Sequence, residues 1–171
     1  MSRTKKIAFS GIFSALCFVF LYIGSVFQTL DLSASAIGSI VVLISMIELG
    51  KRWALGVYAV SGILAVLLLP NKSPAVIYLL FAGFYPVFKT AMNSISKKWL
   101  SYTARLAFFN AAFTLLVFMS VRLFGIEEDY IGFGILAYAV ANITFIVYDF
   151  ALEMIAINYI SRIRPMLFGK Q

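Results

Sequence analysis

Six apolar stretches follow one another along this chain with only short polar breaks between them, at roughly 7–27, 34–49, 53–69, 74–95, 102–124 and 132–160. A helix rising 1.5 Å per residue needs about 20 such residues to cross a hydrocarbon core of about 30 Å. The second and third stretches are short and would stand nearly upright. The last is long and would tilt or emerge from the membrane. The chain is 63% hydrophobic and 12% charged over 171 residues. A soluble domain carries about 25% charged residues, and one aqueous core cannot hide this much apolar surface. In lipid the backbone must satisfy its own hydrogen bonds, which makes each stretch a helix. The expectation is an all-α membrane protein in which residues 1–171 form a single domain of six transmembrane helices.

The breaks between stretches have turn chemistry. Residues 28–35 (QTLDLSAS) are polar, Gly50-Lys51-Arg52 is a tight charged turn, and Pro74 is placed to open a helix after Pro70-Asn71-Lys72-Ser73. Glu127-Glu128-Asp129 is an acidic loop, and 162–171 form a polar tail. Basic residues sort strictly by segment. Arg3, Lys5, Lys6, Lys51, Arg52, Lys89, Lys97, Lys98, Arg105, Arg162, Arg164 and Lys170 fall on one side of an alternating topology, and only Lys72 and Arg122 on the other. Cytoplasmic segments of membrane proteins are rich in Lys and Arg. Six spans with both termini and the Lys97-Lys98 loop in the cytoplasm satisfy this bias. The net charge of +7 is thus a topology signal, and no nucleic-acid partner is expected.

The first apolar run, about 20 residues, exceeds the 7–15 of a signal-peptide core. Ala34-Ser35-Ala36 resembles a cleavage site but lies too far beyond that run, so an uncleaved first helix is expected. There is no histidine, and Cys17 is the one cysteine. That removes histidine acid–base chemistry, most zinc and haem sites, and an intrachain disulfide. No phosphate-cradling GK[ST] loop, H-E-x-x-H or G-x-S-x-G occurs. Neither an enzyme nor a cofactor is expected.

Three constellations remain. In the first helix, Ser10/Ser14 and Gly11/Ala15 form overlapping small-residue pairs, which permit close helix approach either within the bundle or by a partner. In the fourth, Tyr78, Ala82, Tyr85 and Lys89 share a face that Pro86 should kink. In the sixth, Asn142, Asp149 and Glu153 share a face. Lys89, Asp149, Glu153 and the second helix's Glu48 lie at similar depth and are costly in lipid. They read either as a charge-paired network pinning the helix ends, to which Arg105 and the deeper Asn110 belong, or as a proton or cation pathway. Toward the other membrane face, Tyr78, Tyr130 and Tyr138 are either interface anchors or walls of a pocket for a small flat ligand.

A short basic start, Thr4-Lys5-Lys6-Ile7-Ala8, followed by a first helix bearing small residues in a chain of six helices, resembles the substrate-binding S component of energy-coupling factor (ECF) transporters. The family commonly carries Ala-x-x-x-Ala in its first helix, and the nearest match here is Gly11/Ala15, with Ser10/Ser14 alongside. The resemblance implies a membrane-embedded subunit for uptake of a vitamin or related micronutrient. It also implies partnership with a T component and two ATPase subunits, and residence in a bacterial plasma membrane. It puts substrate among residues 28–33 and 71–73 and Tyr78, Tyr130, Tyr138 and Asn142, with Asn71, Tyr78, Tyr138 and Asn142 the candidates. Two other readings stand beside it: a small structural or assembly membrane protein without ligand, and a solitary proton- or cation-coupled carrier.

Overall fold

The computed structural model describes residues 2–95, 97–124 and 134–168. The acidic loop at 127–129 and Tyr130 lie outside them. Among the described residues there is no strand, and six helices are long and apolar enough to cross a membrane. They are α1 (Arg3–Val26), α2 (Asp31–Leu49), α3 (Lys51–Leu68), α4 (Ser73–Met92), α5 (Lys98–Phe124) and α6 (Gly134–Asn158). Each expected span is matched within a few residues. The all-α, multi-pass membrane architecture therefore stands.

The differences have local causes. The polar break at 28–35 is mostly helical: a 3₁₀ turn, Gln28–Leu30, leads straight into α2. Asp31 sits in the first turn of α2, where a carboxylate complements the exposed N–H groups. The α2–α3 connection is Gly50 alone, at φ 94°, a left-handed conformation that other residues resist. Pro74 lies in the first turn of α4, as its missing N–H favours.

The kink expected at Pro86 takes a definite form. Tyr78–Ala82 is a π-helical turn in which the Gly83 N–H donates to the Tyr78 carbonyl at 2.8 Å. Pro86 has no N–H to offer the carbonyl four residues earlier, and the helix restarts at Tyr85–Met92. Tyr58 donates its hydroxyl to the Leu79 carbonyl inside the widened turn, at 2.7 Å. A second π turn, Tyr159–Ile163, continues α6 into Arg164–Phe168.

The helices group into two units, Met1–Ser94 and Ile95–Gln171. In the first, α2 packs against α1, α3 and α4. Its inward positions are small: Ala34, Ser35, Gly38, Ser39 and Ser45 are all buried. The three hydroxyls bond to carbonyls three or four residues back, so small polar side chains line the contact without stranding a donor. At Gly24 a β-carbon would collide with that of Ala34, which fixes glycine where α1 meets α2. Cys17, Leu21, Val42, Val57, Ala65, Leu69 and Tyr78 form the centre of this core. The second unit is the α5–α6 pair.

Candidate functional site

The seam between α5 and α6 is a ladder of polar and aromatic pairs in antiparallel register. Arg105 reaches both Asp149 carboxylate oxygens through one guanidinium nitrogen, at 3.2 and 2.9 Å. Above it Phe109 stacks on Phe145 with centroids 4.5 Å apart. Next, Asn110 and Asn142 exchange side-chain amide bonds at 2.9 and 3.1 Å. Then Thr114 bonds the Tyr138 hydroxyl at 2.9 Å, and Phe113 meets the Tyr138 ring edge-on. Tyr138, Asn142, Phe145, Asp149 and Leu152 recur at alternating spacings of four and three, and Tyr159 follows seven residues on, the pattern of one helical face. The opposite face of α6, from Ile135 to Ile157, exposes large apolar side chains, as lipid contact requires.

Asp149 is thus paired within the seam, by Arg105, which lies two turns inside α5. Glu153 falls off the seam: Leu152 takes the buried position and Glu153 is exposed. Glu48 is half-buried near the end of α2, and Lys89 is buried on α4 at 7% exposure. Glu48 and Lys89 belong to the first unit, Asp149 and Glu153 to the second.

Tyr78, Ala82, Tyr85 and Lys89 are all buried, so the shared face expected for α4 survives the π turn. Tyr78 is 0% exposed. Its hydroxyl lies 2.8 Å from Ser61 and accepts from the Cys17 thiol at 3.3 Å. Its ring tilts against Tyr58, with centroids 5.7 Å apart. Gly38 and Gly83 leave the space it fills, since a β-carbon on either would approach the ring at 3.1 and 2.6 Å. Tyr78 therefore ties α4 to α1, α2 and α3.

Asn71 gathers the opposite ends of the same helices. Its backbone exchanges bonds with the Ser25 hydroxyl, at 2.9 and 2.8 Å. Its side-chain amide donates to Asp31 at 3.4 Å, and its carbonyl accepts from the backbone and hydroxyl of Ser73. Lys72 caps α3, donating to the Val66 and Leu69 carbonyls at 2.7 Å each. Asn71 and Tyr78 thus sit in separate hydrogen-bond clusters.

The small-residue strip of α1 divides. Ser14 is buried and its hydroxyl bonds back to the Ser10 carbonyl at 2.8 Å, with Ser10 half-buried. Gly11 and Ala15 face outward with Ala8, and a β-carbon at Gly11 would meet nothing within 4 Å.

Among the described residues, no three His, Cys, Asp or Glu side chains gather in a way that could hold a metal ion. The seam can offer amide and hydroxyl donors and acceptors, and one neutralised charge pair. The pairing of Arg105 with Asp149, and of Thr114 with Tyr138, was not legible by spacing on a single helix. The available signal was positional: Arg105 and Asn110 on one helix mirror Asp149 and Asn142 on its antiparallel neighbour. No family model, curated protein or solved structure matches this chain.

Proposed function

We propose that this protein is a membrane-embedded substrate-binding subunit for uptake of a vitamin or related micronutrient, with both termini in the cytoplasm of a bacterial cell. On this reading it works with a T component and two ATPase subunits. The observation that carries the proposal is the outward Ala8/Gly11/Ala15 face of α1. Small side chains turned away from a helix's own bundle gain nothing in lipid and are useful when another helix must come close. The hydroxyl and amide groups of Tyr138 and Asn142, on the half of α6 that begins at Gly134, would meet a small polar ligand. Within the first unit, Asn71 and Tyr78 would hold the ends of α1, α2 and α4 in order.

A ligand-free scaffold is the second reading. It draws on the internal pairing of Asn110 with Asn142, Thr114 with Tyr138 and Ser61 with Tyr78, which leaves these groups engaged without a ligand.

Two measurements separate the readings. The tagged chain, purified from its host membrane, should bring down an integral membrane partner together with ATPases. A thermal-shift screen of the purified protein against vitamins should find a stabilising ligand, because a tight ligand raises stability by RT ln(1 + [L]/Kd). Absence of both outcomes would leave the scaffold. Topology is tested separately. In a Cys17→Ala background, a cysteine replacing the exposed Ser94 should resist an impermeant thiol reagent in intact cells.

A further inference from the structure

The end of the α5–α6 pair that carries Lys98 and Arg162 has a composition that the uptake reading leaves unused. Two exposed lysines stand at the start of α5, Lys97 just before it and Lys98 as its first residue. Trp99 follows at 79% exposure and Tyr102 at 56%. The Tyr102 ring covers the Arg105 guanidinium, 4.1 Å from the centroid. Its neighbour Asp149 is thereby part of a neutralised pair, and the exposed charge at this end is mainly positive.

The same end of α6 is longer than a membrane requires. Its apolar helical run, Gly134–Met166, has 33 residues, which spans about 50 Å at 1.5 Å per residue against a hydrocarbon core of about 30 Å. Taking the Arg105–Asp149 contact as the common level, α5 reaches seven residues further toward this end and α6 with its extension reaches seventeen, to Met166. The last turns of α6 therefore run past the start of α5. The π turn and Pro165 fall in this overhang, where exposed Ile160, Ile163 and Met166 alternate with exposed Arg162. Apolar side chains interleaved with arginine, beside an exposed tryptophan and two lysines, match the layer where headgroups meet acyl chains.

We propose that this end of the α5–α6 pair binds anionic phospholipid. Lys97, Lys98 and Arg162 face the headgroup phosphates, and Trp99 and Tyr102 sit at the level of the glycerol backbone. Two features select lipid over a soluble anion: the aromatic side chains adjoin the charges, and the overhang exposes apolar groups among them. The proposal rests on the membrane-spanning character of the helices and is independent of the transport reading.

Trp99 is its own reporter, since the chain has only one other tryptophan, Trp53. The full-length Trp53→Phe variant would be reconstituted in phosphatidylcholine vesicles containing either brominated phosphatidylglycerol or brominated phosphatidylcholine in equal share. Brominated phosphatidylglycerol should quench Trp99 severalfold more effectively. Each basic residue near an anionic surface contributes roughly fivefold in partition, so Lys97→Gln/Lys98→Gln/Arg162→Gln should bring the two lipids to parity. Molar salt, which shortens the screening length to about 3 Å, should do the same without any substitution beyond the reporter's. Equal quenching in the reporter variant would overturn the proposal. So would a preference that survives both salt and the triple substitution. Loss of the preference on adding millimolar inorganic phosphate at fixed ionic strength would make the ligand a free anion and overturn it too.

Discussion

Arg105 and Asp149, at 3% and 8% exposure, hold each other across α5 and α6 with a closest N–O distance of 2.9 Å. Two buried charges in a membrane segment are tolerable only as a pair, and removing one leaves the other uncompensated. Asp149→Leu alone should cost about 3–5 kcal/mol of stability. The double variant Arg105→Met/Asp149→Leu should recover most of that loss, because two apolar side chains suit the surroundings once both charges are gone. Melting temperatures in detergent across this cycle give the coupling directly. Additive losses would mean that the pair is not the unit its geometry describes.

The Tyr78 cluster predicts opposite outcomes for two glycines. A β-carbon at Gly83 would come 2.6 Å from the Tyr78 ring, while one at Gly56 would meet nothing within 4 Å. Gly83→Ala should destabilise by about 1–3 kcal/mol through overpacking. Gly56→Ala, in the middle of α3, should stabilise by roughly 0.5–1 kcal/mol by restricting the unfolded chain and favouring helix. Tyr78→Phe removes a hydroxyl whose partner Ser61 keeps its own bond to the Val57 carbonyl, at 2.7 Å. Its loss should therefore be about 1 kcal/mol. Thermal unfolding of the three variants in one detergent tests the order.

Lysines 72 and 89 allow a comparison at fixed chemistry. Lys72 is exposed and caps the end of α3, whereas Lys89 is buried at 7% exposure. A buried ammonium in a membrane segment is tolerated only when it is partnered, so Lys89→Met leaves its partner uncompensated and should lower the melting temperature clearly more than Lys72→Met. Equal melting temperatures for the two would remove Lys89 from any charge network.

The helices were legible because each one's solvent is lipid, and lipid enforces long apolar runs whatever the packing. Gly50 and Pro74 were legible because their backbone constraints act locally. The π turn at Tyr78–Ala82 was only half visible: Pro86 announced a break but not its form. That form depends on Tyr58 reaching the Leu79 carbonyl from another helix. The same limit applies to the polar residues. Asp149 was recognisable as a residue needing a partner, but the identity of that partner depends on the register of α5 against α6. Tyr78 shared a helical face equally well with a pocket wall, an interface anchor or a core residue. Its full burial follows from the space left by Gly38 and Gly83, which lie on different segments.

The division of the α1 strip sharpens a test of the uptake proposal. Gly11 and Ala15 face away from the first unit's core, and Ser14 faces into it. Gly11→Leu/Ala15→Leu adds bulk where no side chain of this chain lies near Gly11, and lipid accepts leucine without penalty. The double variant should therefore melt close to the parent. Ser14→Leu forces bulk into a buried position and should lose about 1–3 kcal/mol. If the outward face docks a T component, Gly11→Leu/Ala15→Leu should keep any stabilising ligand found by thermal shift. It should nevertheless fail to co-purify the ATPase-containing complex, because leucine holds the two helix backbones apart. A double variant that still brings down the complex would show that this face is lipid-exposed in the assembly. It would then no longer support a partner, and the docking proposal would fall with it.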